Sequence, residues 1–495
     1  MKNIITRLAP SPTSNFCHLG NIRTLLYNYL LAKKHGGKFL VRLEDTDRDR
    51  YTPGFLNYFR DTLDWLGIVP DSSYWNPDTS IGSFTQSERD YSDKINYLID
   101  NGYAYYAFDT KDDLDKAHKN IPNFKYDATT RISMRNSFTM SKEDFDKTIN
   151  DRTPYVIRFA VTPGVDITFT DAILGDITIN TNVVDDKVLL KSNGIGSYHL
   201  CNVSDDHDMG VTHVLRGQEW VNSTPLHVLL YQAFGWDVPT FAHLPLIMNP
   251  DGKGKLSKRT STRYGIPIAP LGYNDGDGNY VKGWKDLGYD PKSFMNTLAL
   301  IGWNPGNDVE IMSMDDMINS FTLDRVHKSG ARFDMVKSQW INSHYLKHTP
   351  NSCLRPYITL PDGRYNVDKV DMIITLAKDR VEFKQDLNTI VDLFFDNPVI
   401  TSTKKLDNKY KSAMSVFVDE IDSISFDDND SLKKSIFDIC SSVDVKMGKV
   451  MPGLRMALMG GVSGPDLITT MIILGKDQVK DRIANSLIFE KAILS

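Results

Sequence analysis

The chain has 495 residues, too many for a single hydrophobic core, so several domains are expected. Its 41% hydrophobic and 24% charged residues are ordinary for a globular protein, and no apolar run approaches the roughly 18 residues that a membrane span requires. The formal net charge of −6 argues against a protein that is coated with nucleic acid. A chain with this net charge can still have a local basic face that binds nucleic acid.

The four cysteines, Cys17, Cys201, Cys353 and Cys440, are scattered and form no C-x-x-C pair. We therefore expect reduced thiols and no zinc site. The first residues read as a strand and not as an apolar signal segment. Together these features predict a cytoplasmic protein.

The first predicted elements are a strand, a helix and a second strand. Residues 4–8 are rich in β-branched side chains and are followed by prolines. Apolar residues recur at helical spacing over 22–30, and a pair of glycines ends that helix. Residues 39–43 form an apolar run interrupted only by Arg42, which is typical of a strand buried on both faces of a parallel sheet.

The tetrapeptide His18-Leu19-Gly20-Asn21 lies where the first strand leads into the helix. Free backbone N–H groups, the positive end of the helix dipole and a glycine predict an anion site there. The alternative is an ordinary junction between a loop and a helix, which a tetrapeptide alone does not exclude.

The middle of the chain alternates helices and strands. The predicted helices cover residues 55–66, 87–102 and 224–234. The predicted strands cover residues 155–161, 176–179, 198–203 and 211–216. The short strands and polar helical pieces of 103–194 indicate an insertion between two halves of a parallel sheet.

The segment Asp205-Asp206-His207-Asp208, which we place on a turn, contains residue types that bind metals. Adjacent residues on a turn point in different directions and rarely converge on one ion. We therefore expect no metal site here, and a polar turn is the simpler interpretation.

A second glycine-rich segment, Pro250 to Arg259, follows an apolar strand over 243–248 and carries Lys253, Lys255 and Lys258. A glycine-hinged lysine loop can close on a triphosphate and neutralise the charge that develops during transfer. The alternative is a solvated basic turn.

The rest of the chain is predicted to be mainly helical. Residues 266–282 are rich in Gly, Pro and Asp and read as an extra loop. Helices are predicted over 294–300, 314–321 and 333–346, and further helices with polar linkers follow to the last residue.

The tetrapeptide and the lysine loop together resemble the paired H-I-G-H and K-M-S-K-S motifs of the class I aminoacyl-tRNA synthetases. Further segments extend the resemblance, in order and over nearly the whole chain, to the bacterial glutamyl-tRNA synthetases. These segments are A-P-S-P-T, H-x-G-N-x-R-T, R-x-E-D-T-D, Y-H-L-x-N, D-D-H-x-M-G-V-T, L-R-x-x-E-W and S-T-P-x-H-V-L-L-Y-Q-A-F-G-W.

The resemblance implies an α/β fold in which a Rossmann-like parallel-sheet catalytic domain is split by an α+β insertion and followed by an all-α C-terminal anticodon-binding region. The two catalytic halves would be residues 1–102 and 195–262, the second with the lysine loop. Residues 103–194 would bind the acceptor end of tRNA, 263–335 would contact its stem, and 336–495 would bind the anticodon.

The resemblance also implies a glutamate–tRNA ligase, which activates L-glutamate with ATP to glutamyl-adenylate and transfers it to the 3′-terminal adenosine of tRNA. It leaves open whether the tRNA for glutamine is charged besides that for glutamate. Mg²⁺ would come with ATP, without a dedicated protein cage. The implied partners are tRNA, ATP and L-glutamate, without a membrane, and the family suggests a monomer. Some relatives carry a zinc site in the insertion, but this insertion has no cysteine, so we expect no zinc.

Family roles can be transferred residue by residue. The catalytic residues would be His18, Lys255 and Lys258. The ATP-binding residues would be His18, Gly20, Asn21, Glu219, Leu246, Ile247 and Lys258. The glutamate-binding residues would be Arg7, Ala9, Ser11, Glu44, Tyr198, Asn202, Arg216 and Trp220. Glu44 would accept the ammonium group, and an arginine suits a carboxylate because it can donate two parallel hydrogen bonds. For either arginine alone, an ion pair at a strand end would be the simpler interpretation.

One segment departs from the family pattern. Four residues, Ser14 to Cys17, stand where the family usually has three, of which the first is glycine. We expect this turn to follow a different path. Gly254 looks like an added residue that loosens the lysine loop.

Two alternatives remain at this point. A glutaminyl enzyme or a short tRNA-modifying paralogue is disfavoured by the helical C-terminal third. A catalytically impaired tRNA-binding paralogue draws support only from the unusual first turn. Intact lysines at 255 and 258 and both arginines argue against it.

Overall fold

The computed structural model describes residues 3–360, 366–400, 406–461 and 463–488. The chain divides into two compact units, one of residues 1–287 with 291–337 and the other of 288–290 with 338–495. In these described ranges, no helix combines the length and apolarity that crossing a membrane requires.

The first unit begins with the strand, helix and strand that the sequence predicts. Its first six elements are β1 (Ile5–Leu8), α1 (Leu19–Lys34), β2 (Lys38–Val41), α2 (Phe55–Leu66), β3 (Ser72–Ser73) and α3 (Ser92–Asp100). Strands β1, β2 and β3 form a parallel sheet in that order, with Arg7 opposite Leu40. Helix α3 begins at Ser92, later than predicted, because a 3₁₀ turn over Gln86–Glu88 precedes it.

The segment predicted as an insertion contributes to two sheets. Its elements are β4 (Ala104–Ala107), α4 (Lys111–Asn120), α5 (Lys142–Asn150), β5 (Val156–Phe159), β6 (Asp166–Asp171), β7 (Gly175–Asn180) and β8 (Val188–Leu190). Strands β4, β5 and β8 form an antiparallel sheet of their own. Strands β6 and β7 form a hairpin.

The second catalytic half supplies the partners of that hairpin. Its elements are α6 (Tyr198–Asp208), β9 (His213–Gly217), α7 (Thr224–Phe234), β10 (Thr240–Leu244), β11 (Ile247–Met248) and α8 (Lys258–Tyr264). Strand β10 pairs in parallel with β9 on one side and with β6 on the other, where Asp171 lies opposite Phe241. Strand β9 lies beside β1, because the backbone N–H of Thr212 donates to the carbonyl of Ile5 at 3.0 Å.

The strand predicted over 198–203 is wrong, because Tyr198–Asp208 is helix α6. Residues 205–208 therefore lie on a helix and not on a turn. The helix buries Asn202, Asp205 and Asp206 together with apolar residues. Polar residues on the buried face hide the helical period, since apolar spacing is the signal from which a helix is read.

The first unit closes with short elements around the extra loop. They are β12 (Tyr273–Asn274), β13 (Tyr280–Val281), α9 (Pro291–Leu300), α10 (Met314–Ser320) and β14 (Ala331–Arg332). Strands β12 and β13 form a small antiparallel hairpin within residues 266–282, and β11 pairs with β14.

The second unit is helical, as predicted. From α11 (Met335–His348), which starts just before it, the helices run through α12 (Asn351–Leu354), α13 (Val367–Ala377), α14 (Leu387–Phe395), α15 (Asn408–Glu420), α16 (Asn429–Ser442), α17 (Met447–Met459), α18 (Leu467–Leu474) and α19 (Lys476–Ile488). Fully buried Phe417, Leu454 and Ile483 help to join α15, α17 and α19 in one apolar core. Burying each such side chain contributes about 1.5–3 kcal/mol.

Candidate active site

A cavity of about 480 Å³ opens at the carboxyl ends of β1, β9 and β10. Ligands of open parallel sheets bind at this edge. The predicted site residues that line the cavity are Arg7, Ala9, Ser11, His18, Gly20, Asn21, Glu44, Tyr198, Asn202, Arg216, Glu219, Trp220, Leu246, Ile247 and Lys255. Lys258 is the one predicted site residue outside this lining.

His18 caps helix α1 and lines the cavity. Its Nδ1 accepts a hydrogen bond from the backbone N–H of Gly20 at 3.1 Å, so the proton of the neutral ring lies on Nε2. Burial and the nearby Lys255 cation together lower the pKa of His18 to about 4, although Glu219 and a hydrogen bond with the backbone of Leu256 oppose the shift. His18 is therefore a neutral hydrogen-bond donor at neutral pH.

The backbone groups at the start of α1 are already paired. The N–H of Leu19 donates to the carbonyl of Ile268 at 3.0 Å, and that of Asn21 donates to the carbonyl of His18 at 2.8 Å. With Gly20 bonded to the ring of His18, the prediction of free backbone N–H groups for an anion is wrong. An anion would instead meet the side chains of this turn.

The unusual turn before His18 rests on the hairpin of the extra loop. The ring of Phe16 stacks on Tyr273 with 4.2 Å between ring centroids. The side-chain amide of Asn15 donates to the backbone carbonyl of Asn274. Residues from 266–282 therefore support this turn.

The lysine loop brings Lys255 to the cavity mouth. Its ammonium lies 3.7 Å from Glu219, and both side chains are half-exposed. The backbone N–H of Leu256 donates to the carbonyl of Ile247 at 2.8 Å, which ties the loop to β11. Lys258 begins helix α8 and places its ammonium 5.7 Å from the centre of the Tyr273 ring.

Arg7 is neutralised by an aspartate of helix α6. Its Nε and Nη2 each donate to the carboxylate of Asp206 at 3.0 Å, and both side chains are almost fully buried. Burial alone would lower the pKa of Arg7, but the charge and hydrogen bonds of Asp206 outweigh it and raise that pKa. Arg7 therefore reaches the cavity with most of its charge already compensated.

Arg42 joins this pair to the rest of the site, and sequence reasoning missed it. Its buried guanidinium donates to Asp206 at 2.8 Å and to Glu44 at 3.3 Å, and lies 3.6 Å from Asp205. Glu44 also accepts from Asn202 at 2.9 Å. Burial raises the pKa of Glu44, while Arg42 opposes that shift. The one available signal was an arginine inside an apolar strand.

Arg216 lies in the same cavity but among neutral groups. Its Nε donates to His243 Nε2 at 3.0 Å, its Nη1 contacts His227 Nδ1 at 3.1 Å, and its Nη2 donates to Thr224 at 2.8 Å. In the part of the chain that the structure describes, no carboxylate forms an ion pair with Arg216, which is 5% exposed. Burial lowers the pKa of Arg216. It is a fixed cation without an ion-pair partner among the described residues.

These groups can recognise an amino acid and hold a nucleotide. A buried arginine without a protein counter-ion suits a carboxylate, and Glu44 suits an ammonium. His18 and Lys255 can donate to phosphates beside them.

The family comparison agrees with this arrangement. A family model described as the catalytic domain of class I tRNA synthetases (E and Q) matches residues 3–340. A second, described as an anticodon binding domain, matches residues 350–487. The fold is that of a class I tRNA synthetase, which confirms the predicted fold class.

Full-length relatives narrow the class. The glutamate–tRNA ligase of Amoebophilus asiaticus is 40% identical, covering 98% of each chain, and that of Bacteroides thetaiotaomicron is 41% identical, covering 97% of this chain and 98% of its own. A crystal structure of a glutamate tRNA ligase from Elizabethkingia meningosepticum, in complex with its amino acid, superposes with a TM-score of 0.93 at 39% identity and covers 98% of this chain and 99% of its own. The chain belongs to the bacterial glutamate–tRNA ligase family, as its motifs predicted.

Proposed function

We propose that this protein is a glutamate–tRNA ligase, which forms glutamyl-adenylate from L-glutamate and ATP and then transfers the glutamyl group to the 3′-terminal adenosine of tRNA. The observation that carries the proposal is the buried cation Arg216, which lines the cavity and has no ion pair with a carboxylate of the described residues. Family membership supports the same activity.

The amino acid is chosen by charge. We assign the side-chain carboxylate of glutamate to Arg216, with Arg7 as a second donor, and the ammonium group to Glu44. Glutamine would leave a desolvated guanidinium without its anion, which costs several kcal/mol and so disfavours glutamine. A ligand ammonium beside Glu44 would also offset the burial that raises the pKa of that carboxyl.

The first reaction step needs positioning more than covalent catalysis. The α-carboxylate of glutamate attacks the α-phosphorus of ATP, the bond to the bridging oxygen breaks, and pyrophosphate leaves. The Nε2–H of His18 and the ammonium of Lys255 would donate to the phosphates, with Gly20, Asn21 and Glu219 on the nucleotide side and the backbones of Leu246 and Ile247 beneath it. Mg²⁺ would enter with ATP as part of the substrate.

Lys258 would join this group when the lysine loop closes. Its loop contains Gly252 and Gly254, both with positive φ, so the backbone conformation of the loop depends on glycine. We propose that closure moves Lys258 from the face of Tyr273 toward the β- and γ-phosphates.

We further propose the division of labour that the motifs predict. Residues 103–194 would bind the acceptor end of tRNA, 263–335 its stem and 336–495 its anticodon. The acceptor is the tRNA for glutamate, and the tRNA for glutamine is a second candidate. The four free cysteines are consistent with a reducing cytoplasm, and we expect a monomer there.

A pyrophosphate-exchange assay with ATP, tRNA and either glutamate or glutamine tests the proposal. We expect exchange with glutamate and at least about 100-fold less with glutamine, as several kcal/mol implies. A chain that binds tRNA but supports no exchange with either amino acid would be the impaired paralogue. Charging assays with separately purified glutamate and glutamine tRNAs then decide the acceptor.

A further inference from the structure

Three neighbouring strands carry a chain of polar groups that ends on Arg216. Asp171 closes β6, His243 lies on β10, and Arg216 lies opposite His243 on β9. All three side chains are buried. We propose that Asp171 and His243 are positioning residues that aim Arg216 at the side-chain carboxylate of the substrate, an inference that rests on the proposed function.

Asp171 is fixed as an ionised acceptor. One of its oxygens accepts from the backbone N–H groups of Ile173 and Leu174, each at 2.9 Å. The other accepts from the backbone N–H of His243 at 3.1 Å and from its Nδ1 at 2.6 Å. Burial alone would raise the pKa of Asp171, but these hydrogen bonds lower it.

The aspartate determines which nitrogen of His243 carries the proton. Because a carboxylate can only accept, the short contact places the proton on Nδ1. The lone pair of Nε2 then faces Arg216 and accepts its Nε–H at 3.0 Å. Burial lowers the pKa of His243, which keeps a second proton off Nε2. The direction of this hydrogen bond therefore depends on Asp171.

His227 repeats this arrangement on the other side of Arg216. Its Nδ1 lies 3.1 Å from Nη1 and must accept, because arginine can only donate. Its Nε2–H then donates to His199 Nδ1 at 3.2 Å. Burial lowers the pKa of His227 well below its ordinary value. Two neutral imidazoles thus fix the guanidinium without cancelling its charge.

Two donor positions of Arg216 remain weakly occupied. One N–H of Nη1 has only a 3.4 Å contact with the hydroxyl of Tyr198, and one N–H of Nη2 has only a 3.4 Å contact with the backbone carbonyl of Trp220. Both of these partners line the cavity. The two N–H groups belong to the two terminal nitrogens, which is one of the two donor pairs that a carboxylate takes in a two-point contact; Nε, the member of the other pair, is already bonded to His243.

Three substitutions in the full-length protein separate positioning from simple support. His243→Gln keeps an acceptor oxygen near the Nε2 position, whereas His243→Leu removes it. Asp171→Asn puts an N–H donor beside Nδ1, which forces the proton to Nε2, where it opposes the Nε–H of Arg216. His213→Gln is the matched control, because His213 is a half-buried histidine on β9, the strand of Arg216, and its hydrogen bond is with Thr212.

Pyrophosphate exchange gives the Michaelis constant of each variant for glutamate and for ATP. We expect His243→Leu and Asp171→Asn to raise the glutamate constant about tenfold or more, as one lost hydrogen bond to a charged group implies, with the ATP constant unchanged. His243→Gln should recover most of the loss, and His213→Gln should match the unsubstituted protein. Nitrogen NMR of the histidine rings should show the His243 proton on Nδ1 in the unsubstituted protein and on Nε2 in Asp171→Asn.

The outcomes distinguish the two levels of the argument. Equal constants for His243→Leu and His243→Gln, or parallel losses for glutamate and ATP that follow the melting temperature, would overturn the positioning role. Absence of glutamate-dependent exchange in the unsubstituted protein would overturn the proposed function instead. The NMR signal would then still test the hydrogen-bond direction, because it needs no substrate.

Discussion

Arg7 and Arg216 are two buried arginines at the ends of two neighbouring parallel strands, yet their surroundings differ. Arg7 makes a two-point ion pair with Asp206, which also accepts from Arg42. Arg216 has imidazoles and a threonine around it. The pKa of Arg7 is raised and that of Arg216 is lowered. The comparison teaches that neighbours decide whether a buried charge stabilises the protein or remains available to a substrate.

Burying the Arg216 cation without an ion pair costs desolvation free energy, and neutral hydrogen-bonding groups of the protein offset part of that cost. Desolvation of a charged group costs several kcal/mol, but satisfied N–H groups recover part of it. The guanidinium of Arg216 also lies 5.2 Å from the centre of the Phe241 ring, whose face attracts cations. A substrate carboxylate would supply the remaining stabilisation on binding.

The largest loss of stability should come from a substitution in the ion-paired cluster around Arg7. Arg42→Leu leaves Asp205 and Asp206 buried with one cation fewer, so we expect a loss of about 3–5 kcal/mol in the free energy of unfolding. Denaturant titration measures it, with Arg48→Leu as the exposed control. A loss below about 1 kcal/mol would mean that the paired side is not structural.

The second largest effect should come from Arg216 and should appear in the use of glutamate. Arg216→Ala should lower kcat/KM for glutamate by a factor that corresponds to a loss of about 2–5 kcal/mol of transition-state stabilisation. The Michaelis constant for ATP and the free energy of unfolding should remain nearly unchanged. Arg216→Lys should restore only part of the loss, since an ammonium cannot make the two-point contact. Equal losses of affinity for both substrates together with a lower melting temperature would make Arg216 a structural residue like Arg42.

Exposed cations should behave differently from both. Lys258→Ala should raise the activation free energy of adenylate formation by on the order of 3 kcal/mol without changing the free energy of unfolding. Lys255→Ala should change the rate in the same direction. Lys253→Ala, in the same loop, is the matched control. The rate of pyrophosphate exchange decides, and an unchanged rate for Lys258→Ala would remove that residue from the mechanism.

Titration should separate the imidazoles around Arg216 from the carboxylates around Arg7 by the pH at which each group loses its contribution to stability. Burial lowers the pKa of His199 to about 4 and also lowers that of His227 and His243. The unfolded chain takes up these protons first, so this contribution to stability is complete above about pH 6.5 and decreases as the pH falls below it. For His199 the decrease runs down to about pH 4, with a slope of at most about 1.4 kcal/mol per pH unit. The pKa of Asp206 is lowered, so its contribution is lost only below its ordinary value of 3.8.

Unfolding measured across this range should therefore show the imidazole contribution before the aspartate contribution. His199→Asn should flatten the slope between pH 6.5 and 4. A constant free energy of unfolding down to pH 4 would contradict the neutral state of the imidazoles.

Local patterns predicted the fold well where apolar spacing and turn residues agree. Helices α2 and α7 begin and end where the sequence indicated. Their ends were predictable because Gly67 and Gly235 follow them and adopt left-handed φ values of 67° and 70°. Helix α6 was missed because it buries Asn202, Asp205 and Asp206, which apolar periodicity does not register.

The site was predicted through family motifs, and its supporting residues were not. Asp206 reaches Arg7 across 199 positions of sequence and Asp171 reaches His243 across 72. Polar contacts of this kind leave no periodic signal, so only the folded chain reveals them. The expected free N–H groups at the start of α1 failed for a related reason, since Ile268 comes from a distant loop.

The stacking of Phe16 on Tyr273 and the bond from Asn15 to Asn274 have a practical consequence for chimeric proteins. The turn at 14–17 and the loop at 266–282 form one structural unit, although 259 positions separate the hydrogen-bonded residues Asn15 and Asn274. Transplanting a three-residue turn alone would leave Tyr273 without its stacking ring and the Asn274 carbonyl without its donor. Anyone who exchanges either segment has to exchange both.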